Sequence, residues 1–265
     1  MRSFHLRADG RGESRLHSLP LPFIYTGPAA TEQDKQGAAT APPSPYLSVC
    51  PVRHRDGYSE LSADPGERRL EFVTAGTVHV STSSASAVLV AGDVLLVDDA
   101  GSAGRILRYR GDAHTLRIGI EPSWSSDGTV PPAVERRQAD PARRRPHVLE
   151  MYVADDVAHF RELPSLFGDG DGPAVTQALD GLKFITFSSG HSGDWHTDKT
   201  TNIVFVGSGV LELEVGGDNA VELFHPGDVC LVQDLVGQGH ILRAHGETRI
   251  AAITIPDAHR WNSIV

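Results

Sequence analysis

LFHPGDVCLVQD (223–234) has a near copy earlier in the chain, LVAGDVLLVDD (89–99), and this pairing decides how the sequence is read. Gly227-Asp228 falls opposite Gly92-Asp93, an offset of 135. The same offset carries Ile241-Leu242-Arg243 onto Ile106-Leu107-Arg108, Gly246 onto Gly111 and Ile255 onto Ile120. Upstream, VFVGSGVLEL (204–213) sits opposite EFVTAGTVHV (71–80) at an offset of 133, and LEMYVADDVAHFRELP (149–164) resembles FHLRADGRGESRLHSLP (4–20). A long unit that recurs twice predicts two similar domains, not a solenoid of short repeats.

The apolar stretches within each copy are short and rich in β-branched residues: KFITF (183–187), NIVFV (202–206), VLELEV (210–215), DVCLV (228–232) and RIAAITI (249–255). VLELEV alternates, which places Leu211, Leu213 and Val215 on one face and Glu212 and Glu214 on the other. Gly207-Ser208-Gly209 and Gly216-Gly217-Asp218-Asn219 predict the turns of successive hairpins. Only the segment near 155–163 and its N-terminal equivalent suggest a helical turn. With 27 glycines and 17 prolines in 265 residues, the expectation is an all-β chain of closed or sandwiched sheets. Residues 123–146 are rich in Pro, Ser and charge and read as a linker. The domains are then 1–122, with a mobile loop at 26–45, and 147–265.

A net charge of −10 argues against a nucleic-acid binder, which needs a basic face. Cys50 and Cys230 are the only cysteines, too few for a disulfide framework or a thiolate zinc site. The start, MRSFHLRADGRGESR, lacks the apolar run of a signal peptide, and no stretch reaches the roughly 18 apolar residues of a membrane helix. A cytoplasmic protein that binds neither membrane nor nucleic acid is expected.

The second copy spaces its residues distinctively: Gly190, His196, Asp198, Asn202 and Gly209, then Pro226-Gly227-Asp228, then Gly237-Gln238-Gly239-His240. This resembles the two conserved motifs of the cupin superfamily. The stretches Asp194-Trp195-His196 and Asp234-Leu235-Val236-Gly237-Gln238-Gly239-His240 resemble a narrower bacterial group of cupins, largely without an assigned reaction. The resemblance implies two tandem cupin-type barrels (double-stranded β-helix, or jelly roll). A tandem fusion satisfies within one chain the pairing single cupin domains make, so a monomer or a modest homodimer is expected. In metal-bearing cupins the places of His196, Asp198, Asn202 and His240 are held by His, His, Glu and His, so two of the four differ here.

Read as residues, His196 and Asp198 lie two apart on an expected strand and share a face, with His240 approaching from a neighbouring strand. Two imidazoles and a carboxylate form a facial triad that suits Fe(II), with Zn, Mn or Ni as other choices. The first functional expectation is therefore a metal-dependent, oxygenase-like enzyme acting on a small organic substrate. His196, Asp198 and His240 would be its ligands and Asn202 an auxiliary ligand or substrate contact. The second drops the metal: an isomerase, epimerase or cyclase in which His196 or His240 shuttles protons and Asp198 orients one of them. The third is a non-catalytic small-molecule binding module. His191, His225 and His245 read as surface residues, and replacing His196 or His240 is expected to spare the fold. In the first copy the ligand places hold Ala63, Pro65, Arg69 and Arg105. That barrel reads as a packing partner or, more sharply, as an anion pocket made by the two arginines.

Overall fold

The structure, a computed structural model, describes residues 1–19, 21, 23–26, 46–61, 68–98, 104–121, 146–168, 170–217 and 219–256. The chain divides into two compact units. The first contains β1 (Ser3–Ala8), β2 (Ser14–Ser18), β4 (Tyr46–His54), β5 (Ser59–Glu60), β6 (Arg69–Ser81), β7 (Ser86–Val90), β8 (Val94–Asp98), β9 (Ile106–Ile120) and β12 (Gly172–Pro173). The second contains β3 (Phe23–Thr26), β10 (Val148–Ala154), β11 (Val157–Glu162), β13 (Gln177–Ala178), β14 (Gly181–Phe187), β15 (Asn202–Val215), β16 (Val221–Phe224), β17 (Val229–Val232) and β18 (His240–Thr254). No helix among the described residues is long and apolar enough to cross a membrane.

The seven-strand path of one sheet matches that of the other, and the first sheet adds β5 on β9 and β13 on β4. The first sheet runs β12-β4-β9-β6-β8-β1-β2, with β7 on β6; the second runs β3-β14-β18-β15-β17-β10-β11, with β16 on β15. Registers match too: Arg69 pairs with Gly119 and Val97 where Asn202 pairs with Thr254 and Val232. These are the offsets 133 and 135 of the sequence repeat, now expressed as backbone pairing. The repeated Gly-Asp explains why the copy persists. Asp93 accepts the Val90 N–H at 3.0 Å and the Arg2 N–H at 3.2 Å. Asp228 accepts those of His225 at 2.6 Å and His147 at 2.9 Å. Each buried carboxylate thus closes its own turn and anchors the first strand of its barrel. Removing it would strand buried donors at about 1–3 kcal/mol.

Three expectations are corrected. Gly207-Ser208-Gly209 is not a hairpin turn, because β15 runs through it with register shifts at 206/208 and 208/210. Its first half pairs with β17 and its second with β16, so the irregularity is the corner where one strand passes between sheets. Gly209 has φ +75°, and a Cβ there would stand 2.6 Å from the Glu247 carbonyl oxygen. Gly76 repeats both features in β6, 2.6 Å from the Arg110 carbonyl oxygen. The segment near 155–163 is a turn followed by β11, and the only helical turn nearby is the 3-10 piece Pro164–Phe167. Finally, the units are not the contiguous 1–122 and 147–265. β3, from the first half of the sequence, lies parallel to β14 in the second unit, and β12, from the second half, lies antiparallel to β4 in the first. Open backbone edges must be paired somewhere, and composition does not reveal that each is closed by the other half's chain. The expected loop at 26–45, beyond Thr26, and the linker at 123–146, before Pro146, lie outside the described residues.

Candidate functional site

A cavity of about 460 Å³ opens into the second barrel. Its walls follow from strand alternation. Lys183, Ile185 and Phe187 are successive inward positions of β14, with Leu211 and Leu213 on β15 and Leu242 and Ile250 on β18. Val204 lines the cavity as well, whereas Val206 belongs to the core cluster without lining it. His191, read as a surface residue, lines the cavity with its ring 5.0 Å from that of Phe187. His225 and His245 are exposed, as expected.

His196 and His240 meet on this wall. Their backbones exchange both N–H···O bonds, at 3.0 and 2.8 Å, which sets the two imidazoles side by side with centroids 4.4 Å apart. Gly239 makes the approach possible: at φ +77° it lies against the His196 backbone, and a Cβ there would fall 2.8 Å from the Thr197 nitrogen. His196 Nδ1 lies 2.9 Å from the Asp194 carbonyl oxygen, which can only accept, so Nδ1 carries the proton and Nε2 the lone pair. His240 Nδ1 lies 2.6 Å from the carboxylate of Asp234, which is fully buried. The other Asp234 oxygen has no hydrogen-bond partner among the described residues. His240 is the hydrogen-bond partner of this buried carboxylate among the described residues, and the contact fixes the orientation of the ring. Sequence reasoning quoted Asp234 as part of a motif but gave it no role. Its signal is the spacing of six residues before His240, which only folding turns into a contact.

Asp198 is placed differently from expectation. Residues 194–201 are irregular, with His196 in an isolated bridge, so the strand alternation that was to align His196 with Asp198 does not exist. Asp198 lines the cavity but accepts a hydrogen bond from Asn202 Nδ2 at 3.0 Å. Asn202 donates also to the Thr200 carbonyl at 2.9 Å and accepts from Thr254 Oγ1 at 2.9 Å. These bonds fix the 198–202 segment at the cavity wall. No three His, Cys, Asp or Glu side chains among the described residues are grouped closely enough to hold one ion. The donor set is two imidazoles, short of the facial triad. Cys230 is no nucleophile either, since burial, with Asp234 nearby, pushes its thiol well above the ordinary value.

The first barrel fills the same space with charge. Arg69 and Arg105 both bind Glu60, at 2.7 and 2.8 Å, and Arg69 also bonds the buried Glu71 at 3.3 Å. Tyr109 donates to Glu71 at 2.9 Å, and Arg117 lies 3.1 Å from the Tyr109 hydroxyl. Burial alone would raise the Glu71 pKa, but Arg117 and Arg69 hold it well below the usual carboxylate range. His54 stacks on Tyr109 at 3.7 Å, and burial depresses its pKa to about 3, so it stays neutral. The arginines expected to attract an external anion already have carboxylates of their own.

No family model matches the chain, and no curated protein does at the similarity required. Solved structures do. A cupin 2 conserved barrel domain protein from Leptotrichia buccalis is 13% identical over 84% of this chain and 94% of its own, with a TM-score of 0.40. A protein of unknown function from Pseudomonas syringae pv. tomato is 12% identical over 96% and 100%, at 0.35. A salicylate 1,2-dioxygenase from Pseudaminobacter salicylatoxidans is 14% identical over 80% and 71%, at 0.36. The structure itself shows two all-β units with a shared strand order, the second carrying the residues that resemble the cupin motifs. No reaction is carried over at this similarity. The second barrel holds an open, mainly apolar cavity with a histidine pair, the usual make-up of a small-molecule site.

Proposed function

We propose that the second barrel is an acid–base catalyst that moves a proton on a small organic molecule, an isomerase or epimerase in class. One observation carries this reading: two imidazoles share one cavity wall, each with Nδ1 anchored and Nε2 left over, and one is backed by a buried carboxylate. His240 Nε2 takes a proton from the substrate, and Asp234 stabilises the imidazolium through the Nδ1–H. His196, exposed at the mouth, first takes a proton from solvent at Nε2 and delivers it at a second position, and His240 then returns its own proton to solvent, which resets the pair. A pair divided into a buried base and an accessible acid suits transfer between two positions of one substrate. The apolar wall limits water near the reacting atoms and strengthens these electrostatic effects. The two imidazoles act here as proton carriers, and no step is assigned to a metal.

The test is hydrogen exchange in D2O, followed by NMR, on a panel of 2-oxo acids, 2-hydroxy acids and keto sugars. The full chain is expected to wash out one C–H of at least one member, and His240→Asn to remove that exchange. Stoichiometric Fe(II) uptake accompanied by oxygen consumption, without exchange, would overturn the proposal.

A further inference from the structure

We infer that the molecule bound in this cavity carries a carboxylate, held at the mouth by Lys183 and Lys199. The inference rests on the cavity being a small-molecule site and adds the class of molecule it admits.

The chain has three lysines against 21 arginines, and two of the three, Lys183 and Lys199, line this one cavity. Every described arginine of the second unit is tied to a carboxylate: Arg161 to Glu150, Arg243 to Glu212 and Glu214, and Arg249 to Glu247. Neither lysine has a carboxylate within ion-pair distance among the described residues. The unpaired cations of the unit thus converge on one opening, in a chain whose net charge is −10.

Placement on the strand separates a binding lysine from a solvated one. β14 alternates, and Lys183 occupies the inward row with Ile185 and Phe187, the row that forms the apolar wall. A lysine kept only for solubility belongs on the outward row. Lys183 lines the cavity and is also exposed, which suits a side chain whose stem covers apolar wall while its charge stays in water. Lys199 arrives from the segment that Asn202 fixes through Asp198 and Thr200, so its backbone neighbours are already ordered. The one opposing carboxylate at the lining, Asp198, is engaged by Asn202. Two ammonium groups against one carboxylate leave an excess positive charge where a ligand enters. At the corresponding places the first repeat has Cys50 and Gly66, so neither ammonium recurs there.

The ligand these features describe has a single anionic head and an apolar body that fits against Phe187, Leu211 and Ile250. Ammonium groups suit a carboxylate as compact charges without the planar fork of arginine, and a half-open mouth keeps the contribution modest and sensitive to salt.

Titration calorimetry on the full chain tests this with two matched pairs, phenylacetate with phenylacetamide and hexanoate with hexanamide. Each carboxylate should bind about tenfold or more tighter than its amide, an advantage that shrinks as salt is raised. Lys183→Gln and Lys199→Gln should each reduce the preference, and the double variant should abolish it while leaving amide affinity unchanged. Equal binding of acids and amides, survival of the preference in the double variant, or failure of both carboxylates to bind would overturn the inference. A lysine-dependent preference without any proton exchange in D2O would instead leave the inference standing and sink the catalytic proposal.

Discussion

Where the second barrel has Val204, the first has Glu71, and the exchange repeats around the wall: Phe187 against His54, Ile250 against Thr115, Ala252 against Arg117, Ala244 against Tyr109. The backbone registers that define these pairs are the same, Ile185↔Ile250 beside Val52↔Thr115 and Phe187↔Thr248 beside His54↔Ala113. One framework therefore supports two interiors. In the first, Arg69, Arg105 and Arg117 bind Glu60 and Glu71, and this network occupies the interior. In the second, small and apolar residues leave space, and the few polar groups converge on that space. The difference lies in inward positions alone, since the corner glycines and the Gly-Asp turns are common to both. A frame that tolerates either filling does not itself encode function.

The largest effects should come from breaking the buried pairs. His240→Ala leaves the Asp234 carboxylate buried without its partner, at a cost of about 3–5 kcal/mol. This corrects the expectation that the replacement would spare the fold. His240→Asn, which can still donate to Asp234, should lose less. In the first barrel Glu71→Val should cost a similar amount, because Arg69 and Arg117 lose a buried partner. Converting the set together (His54→Phe, Arg69→Asn, Glu71→Val, Arg117→Ala) should cost less than the sum of the single changes, since Glu60 and Arg105 remain paired. Urea unfolding of these variants measures the difference. Strict additivity would contradict the network.

Acid should separate the barrels next. His54 refuses a proton in the folded state down to about pH 3, whereas the unfolded chain accepts one near the ordinary value of 6.5. Its contribution is fully present above 6.5 and is lost as pH falls below it, at about 1.4 kcal/mol per pH unit. Glu71, lowered from 4.5, adds a loss of the same sign below about 4.5. Hydrogen exchange at pH 7, 5.5 and 4.5 should therefore show protection falling first in β4, β6 and β9. His54→Phe should flatten the slope between 6.5 and 4.5 by one proton. Earlier loss in β14, β15 and β18 would count against the assignment.

Asp198 gives the smallest effect. Asp198→Ala removes one acceptor from Asn202, whose amide keeps Thr200 and Thr254, so a loss of about 1 kcal/mol is expected. Proton exchange should fall only modestly. Its abolition, together with loss of a bound metal, would restore the three-ligand reading.

Much of this was legible in the sequence. The repeat, the all-β class, the inward face of VLELEV and the meeting of His196 with His240 follow from spacing and alternation, which are local or doubled signals. Illegible features depend on chain crossing or on irregular backbone. β3 and β12 join the opposite unit because sheet edges need partners, which leaves no compositional trace. Strand alternation does not align Asp198 with His196, because residues 194–201 do not form a strand. Asp234 and Lys183 look ordinary until the fold shows one beneath an imidazole and the other in an inward row.

The central claim, that the two interiors divide into one filled and one open, is tested most directly by soaking crystals of the full chain with a library of small organic acids and neutral fragments. Density should accumulate in the second barrel against His196 and His240, with the first barrel's Glu60–Arg69–Glu71 network undisturbed. Fragments seated among Arg69, Arg105 and Arg117, with the second cavity empty across the library, would contradict it.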